Sequence, residues 1–363
     1  MQRTLWQPPR RRIFLPAEAL LMAIAPTRSG PRQHELDRFV PDELRNLSEA
    51  KVSIPRIASD KGLTEKIAQA VARVPTSHRL FLGDSRRLSE LKAESVDLIL
   101  TSPPYWTLKE YRGSQGQLGS IPEFERFLIE LDRVWNECHR LLTPGGRLVC
   151  VVGDVLLSRR RNQGRHVVIP LHAFIQTRCR KIGFDNLAPI IWHKMSNAEF
   201  EAGGSGFLGK PYEPNAIVKN EIEYILFQRK SGGYRNPSRA MRLLSIIPAE
   251  LHRQWFRQVW TNLTGASTRH HPAPFPLELA ERLVRMFSFV GDTVLDPFLG
   301  TGTTSIAAAR NGRNSVGVEI ESEYLDLAET ALRKDVGKLW RKSTVVVSRL
   351  TSAGGVSDID SSQ

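Results

Sequence analysis

The sequence predicts an α/β fold built on a doubly wound, mostly parallel sheet with a small insertion. Short apolar runs alternate with longer stretches whose apolar residues recur every three or four positions. That is the pattern of parallel strands joined by crossover helices. Two of the runs, 96–100 (VDLIL) and 293–295 (TVL), lead straight into loops, TSPPYW at 101–106 and DPFLGTGTT at 296–304. Loops at the carboxyl ends of strands are where open α/β sheets bind ligands. With 363 residues and 41% hydrophobic content, the chain can bury a full core as one large domain with insertions, or as two modest domains.

Taken in order, residues 1–33 carry six arginines (3, 10, 11, 12, 28 and 32) against one acid, Glu18. The apolar stretch 13–25 is interrupted by Pro16 and Glu18, which makes a poor signal-peptide core. A disordered basic arm over 1–35 is expected, or an over-extended translation start with Met22 as the alternative first residue. The spacing predicts a helix over 64–74, ended by Pro75, inside a helical lead-in spanning 36–77. A short strand at 80–82 closes on Gly83-Asp84, and the strand at 96–100 follows. In 124–142, Phe124, Phe127, Leu128, Leu131, Trp135, Cys138 and Leu142 share one helical face, and Pro144-Gly145-Gly146 terminates the helix.

Further strands are predicted at 147–152 (ending at Gly153-Asp154), 188–192, 224–227 and 315–318, with helices at 277–287, 303–310 and 323–334. Segments 158–166 (SRRRNQGRH) and 196–215 read as loops rich in Gly or charge. Between 235 and 260, Arg235, Arg239, Arg242, Arg253 and Arg257 interleave with Trp255, Phe256 and Trp260. That mixture fits a surface laid on nucleic acid; the plain alternative is a solvated helical pair whose aromatics face the core. The segment 346–363, rich in Ser, Gly and Asp, reads as a disordered tail. There are no internal repeats.

The net charge of +13, from 51 Lys and Arg against 38 Asp and Glu, favours a polyanionic partner. It fits an RNA binder or a merely soluble basic protein as well. Cys138, Cys150 and Cys179 show neither a paired motif nor metal-ligand spacing, so buried free thiols in a reducing, cytoplasmic setting are expected and no metal. No apolar run approaches the roughly 18–20 residues that span a membrane, so no membrane partner is expected.

The loop 296–304 places Gly300 and Gly302 between a strand and a helix, where free N–H groups favour an anionic ligand group. The Lys of a phosphate-cradling loop is missing, which argues against a nucleoside triphosphate. Glu319 ends the next strand, about 20 residues on, where an acid can accept hydrogen bonds from ribose hydroxyls.

Together with Ser102-Pro103-Pro104-Tyr105, this loop resembles the S-adenosylmethionine-dependent, amino-methylating DNA methyltransferases, in the permuted group whose catalytic loop precedes the cofactor loop. The resemblance covers about residues 78–335. It implies a Rossmann-like methyltransferase fold divided into a catalytic half (78–230), a target-recognition insertion (231–270) and a cofactor half (271–345). It also implies cofactor contacts from Asp296, Phe298, Gly300, Gly302 and Glu319, with Asp84 near the adenine. The structural alternative for Asp84 is a simple helix cap. The family's further cofactor segment matches His271–Pro276 in sequence, including Phe275, although a Pro-rich linker has the same composition.

In such chemistry the exocyclic amino group is a poor nucleophile, because its lone pair is delocalised into the ring. Acceptors that hold its protons and align it for transfer make the step feasible. Ser102 can accept through its hydroxyl and Pro103 through its carbonyl, while the adjacent prolines Pro103 and Pro104 hold the backbone extended without competing donors. Tyr105 can stack on a base taken out of the duplex. A Ser at the first loop position is typical of the family's cytosine-N4 enzymes. The leading expectation is therefore N4-cytosine methylation of duplex DNA, with a possible cognate restriction endonuclease as partner. Adenine N6 is the nearest alternative, followed by an RNA substrate and by a non-catalytic DNA-binding protein of the same fold.

Overall fold

The structure, a computed structural model, describes residues 35–45, 50–108, 116–159, 162–194, 220–261, 263, 276–338, 342–350 and 356–358. Helices α1 (Asp42–Arg45), α2 (Ala50–Ser59) and α3 (Lys61–Val71) precede β1 (Ser77–Leu82) and β2 (Val96–Thr101). Helix α4 (Phe124–Leu141) runs into β3 (Leu142–Val152), which is followed by a small hairpin, β4 (Val155–Leu157) and β5 (Val167–Ile169). Then come α5 (Leu171–Ile182), β6 (Phe184–His193), β7 (Ile222–Lys230), α6 (Arg239–Leu244), α7 (Ala249–Trp255) and β8 (Val259–Trp260). The chain continues through α8 (Leu277–Phe287), β9 (Thr293–Asp296), α9 (Thr303–Arg310), β10 (Asn314–Glu319), α10 (Ser322–Val336), β11 (Thr344–Leu350) and β12 (Val356–Asp358).

Ten strands form one sheet in the order β12-β11-β1-β10-β9-β2-β3-β7-β6-β8. From β11 to β3 every pairing is parallel; β7 is antiparallel to both β3 and β6. Strands from the two halves of the sequence therefore interleave. β9 and β10 sit between β1 and β2, so the loops after Leu82, Glu319, Asp296 and Thr101 open side by side along one edge.

Alternation along the central strands feeds two cores. Ile99, Leu148, Cys150 and Leu295 pack with Phe127, Leu131, Trp135 and Cys138 of α4 on one face. On the other, Leu98, Leu100, Val149, Val151 and Val294 pack with Leu279 and Leu283 of α8. Each side chain of this kind contributes about 1.5–3 kcal/mol when fully buried. All three cysteines lie free and buried in the first core, as expected, and burial pushes their thiols well above the usual range.

Several elements depart from the sequence expectation. α3 starts three residues early because the Asp60 side chain caps it, accepting from the Leu63 amide at 3.0 Å. The tail expected over 346–363 is corrected: β11 runs through Leu350 beside β1, and β12 pairs antiparallel with it. The reason is the open side of β1, which the alternating TVVVSRL of β11 covers.

Only part of 235–260 is free to form a nucleic-acid surface. β7 runs away from the loop-bearing edge, so the chain after Lys230 folds beneath the opposite edge. There Arg235 grips Asp292 at 2.5 and 2.6 Å and reaches Asp97 at 3.3 Å. Arg239 donates to the carbonyls of Leu44 and Arg45, and Arg242 to that of Pro237. Trp255 and Trp260 are buried, the Trp260 indole donating to the Trp255 carbonyl at 2.9 Å. Arg253, Phe256 and Arg257 do remain exposed.

Candidate active site

The site is built from the carboxyl ends of β1, β10, β9 and β2. Asp296, at the end of β9, is fully buried and accepts three hydrogen bonds. Thr101 Oγ1 donates to its Oδ1 at 2.7 Å, the Phe298 amide to the same oxygen at 3.0 Å, and Thr304 Oγ1 to its Oδ2 at 2.7 Å. One carboxylate thus ties the end of β2, the loop after β9 and the first turn of α9 together. No cation is among these partners, and burial raises its carboxyl to about 6.

Above it lies a cleft of about 680 Å³, open to solvent, whose walls include Asp84, Ser102, Pro104, Phe298, Gly300 and Glu319. Glu319 is held by its own surroundings: Oε2 accepts from the Gly300 amide at 2.8 Å, and Oε1 accepts from the amides of Ile320 and Glu321 at 3.0 Å each. Its carboxyl is also pushed up to about 6, mainly by burial. Phe298, Leu118, Val134, Val318 and Ile320 supply the apolar surface of the cleft. Acceptors beside an apolar wall suit a ligand that carries hydroxyl donors and an aromatic ring.

Asp84 lines the cleft, but its carboxylate is held by Arg86 at 2.6 Å and caps the Arg86 amide at 3.0 Å. Arg86 also pairs with Glu130 of α4 at 2.6 Å and donates to the Gly116 carbonyl at 3.2 Å, so it fastens the rim of the cleft. Asp296 and Gly302 do not line the cleft. Gly302 adopts φ +86° at the start of α9, where an added Cβ would lie 3.0 Å from the Cβ of Ala328 in α10. Its smallness serves helix contact. Phe275 lies outside the described residues.

On the β2 side, Ser102 Oγ stands 3.3 Å from the Tyr105 hydroxyl, and either can donate. Ser102 and Pro104 face the cleft, whereas Pro103 is buried and Tyr105 packs into the core beside α4. The Tyr105 ring therefore presents little surface on which a base could stack. Next to it, Trp106 adopts φ +48°, sparsely populated for a bulky residue. The indole compensates by donating to the Ile121 carbonyl at 2.8 Å and packing edge-on against Phe124 at 5.1 Å. The unusual backbone angle thus falls four residues after the serine, and Ser102 keeps its place on the cleft wall.

The sequence reading missed several residues of the site. Ser85, whose hydroxyl donates to the Pro297 carbonyl, joins the β1 loop to the β9 loop, and Gln117, Ile320 and Tyr324 complete the walls. Thr101 was visible as the residue before Ser102, yet nothing local shows that its hydroxyl faces Asp296.

A family model described as DNA methylase, of the N6/N4 class, matches residues 96–330. The chain belongs to this family. The methylase is 38% identical over 283 residues to the type II methyltransferase M.MthZI of Methanothermobacter thermautotrophicus, covering 71% of this chain and 77% of that one. It is 36% identical to M.MjaI of Methanocaldococcus jannaschii, covering 70% and 91% respectively. Among solved structures it is similar to a putative DNA modification methylase of Thermus thermophilus, crystallised with S-adenosyl-L-methionine. There the identity is 54%, the coverage 74% of this chain and 98% of that chain, and the TM-score 0.61. The PvuII DNA methyltransferase, named as cytosine-N4-specific, shares the fold at 19% identity and TM-score 0.51, covering 76% and 96%.

Proposed function

We propose that this DNA methylase transfers a methyl group from S-adenosylmethionine to the N4 amino group of cytosine in duplex DNA. The observation that carries the reading is the shared cleft, in which Ser102 and Pro104 of one loop face Phe298, Gly300 and Glu319 of the other. The residues fit the cofactor. Glu319 offers acceptors for ribose hydroxyls, Phe298 and Ile320 an apolar wall for the adenine, and Asp84 an acceptor beside it. Asp296 holds the loop that carries Phe298 and Gly300 and contributes negative charge from below. When bound, S-adenosylmethionine supplies an electrophilic methyl group on its sulfonium.

Everything else falls to the chain's own residues. Ser102 Oγ and the Pro103 carbonyl accept hydrogen bonds from the exocyclic amine and draw its lone pair out of conjugation, so that the nitrogen can take the methyl group and give up one proton to solvent. Tyr105 Oη, within reach of Ser102, holds the serine hydroxyl in one orientation. This positioning role replaces base stacking as the function of Tyr105. The choice of N4 rests on the serine at position 102, typical of cytosine enzymes where an aspartate is typical of adenine enzymes. A relative named as a DNA adenine methyltransferase, YhdJ of Escherichia coli, is 28% identical over 304 residues and keeps adenine N6 as the second reading. Digestion of methylated duplex and mass spectrometry of the nucleosides decides: N4-methylcytosine supports the proposal, and N6-methyladenine alone replaces it. A cognate endonuclease fits the type II relatives and is tested by cleavage of unmethylated sites in host extract.

A further inference from the structure

We infer that the β4–β5 hairpin is the element that enters a groove of the DNA duplex. The inference rests on the DNA-methylating reading above and names a surface for it. Three observations carry it.

The first is position. β3 is parallel to β2 and ends on the same edge, so the chain leaves the sheet beside the catalytic loop and at once forms the hairpin. Val155, Leu157 and Ile169 pack in the same cluster as Tyr105 and Trp106.

The second is charge. Residues 155–171 contain no Asp or Glu. Arg165 is exposed and Arg159 partly so, and no acid pairs with either among the described residues. Several other arginines are held by acids: Arg86 by Asp84 and Glu130, Arg178 by Asp132 and Glu125, Arg235 by Asp292, Arg310 by Asp335. An arginine with no acid partner among the described residues, on a hairpin that leaves the sheet beside the catalytic loop, is available to phosphate or to guanine.

The third is rigidity. At the tip, the Arg165 amide donates to the Asn162 carbonyl at 2.9 Å across Gln163 (φ +50°) and Gly164 (φ +79°). This tight turn sits within the longer loop that joins Leu157 to Val167. At the base, His172 Nδ1 donates to Asp154 Oδ1 at 2.6 Å, and its ring stacks on Tyr224 at 3.8 Å. This clasp joins the two ends of the hairpin and fixes it to β7. A two-stranded ribbon fits the major groove, and Val168, paired with Leu156 and 46% exposed, offers an apolar contact for a thymine methyl.

The test uses the full chain and a fluorescent duplex that the wild type methylates, with anisotropy measured from low to moderate salt. The Arg159→Ala/Arg165→Ala protein should bind about ten-fold or more weakly at about 0.1 M salt, with a log–log salt slope shallower by about two. S-adenosylmethionine affinity by calorimetry should stay within two-fold of wild type. Arg159→Gln/Arg165→Gln should reproduce the result, and Arg159→Lys/Arg165→Lys should restore the slope. Wild-type duplex affinity and slope in both neutral pairs would overturn the hairpin assignment while leaving the methylase reading intact. So would a larger loss from Arg253→Ala/Arg257→Ala than from the hairpin pair. A wild type that methylates no duplex overturns both readings together.

Discussion

The two edges of the sheet bury acids in opposite ways. Beneath the edge remote from the cleft, Asp292 and Asp97 face Arg235. At the cleft edge, Asp296 is just as buried and Glu319 partly so, but both accept only from hydroxyls and amides, and both carboxyls rise to about 6. A paired carboxylate is electrostatically finished and serves the fold. An unpaired one leaves a site short of positive charge, which is where a cationic, hydroxyl-bearing ligand is worth most. The same contrast separates Arg235, locked under the sheet, from Arg165, exposed at a hairpin tip.

The largest effect expected is at Asp296. Asp296→Ala leaves the Thr101 and Thr304 hydroxyls and the Phe298 amide without their acceptor, each worth about 1–3 kcal/mol when buried. It should lose both stability, in a denaturant melt, and S-adenosylmethionine affinity, in calorimetry. A stable protein with unchanged affinity would break the contrast. Next, Arg235→Ala strands Asp292 and should cost about 3 kcal/mol of stability, while cofactor affinity at the far edge stays as it was. A parallel drop in affinity would mean that the two edges are coupled.

Ser102→Ala should lower the single-turnover methylation rate about 100-fold with little change in cofactor affinity, since its contact strengthens as charge develops. An effect confined to affinity would move Ser102 out of the chemistry.

A pH series sharpens the comparison further. Cofactor affinity should be level above about pH 7 and fall as Glu319 is protonated near 6. Stability from the same two acids should run the other way. Their folded-state carboxyls sit above the unfolded ones, so the folded chain holds its protons longer and loses stability as pH rises from about 4 to about 6. Identical pH profiles for affinity and melting temperature would contradict this. The smallest effect is Tyr105→Phe, which keeps the packing and removes only the hydroxyl near Ser102. A rate loss of a few-fold is expected, read against Tyr105→Ala, which should also open a cavity in the core.

Much of the architecture was legible in the sequence because it rests on local signals. Helices 277–287 and 303–310 fall where the apolar spacing placed them, and both functional loops follow the strands that were expected to end in them. β11 escaped because a half-exposed strand has weak patterning until it finds β1. The hairpin escaped because its strands are three residues long. Within the site, Ser102, Pro104, Phe298, Gly300 and Glu319 line one cleft, while Asp296 and Gly302 lie outside its lining.

What the sequence determined by itself is the strand-and-loop order of short stretches: an apolar run, then a serine with two prolines; another apolar run, then a glycine turn; an acid after the next strand. Those assignments need only neighbours along the chain. What the tertiary structure decided is which charges are spent and which are free. Arg235 and Arg165 look alike in sequence, as do Asp292 and Asp296. Strand order sets Arg235 against Asp292 and Thr101 against Asp296, across gaps of 57 and 195 residues, and leaves Arg165 facing solvent. Pairing over such distances depends on which strand lies beside which, and no local spacing encodes it.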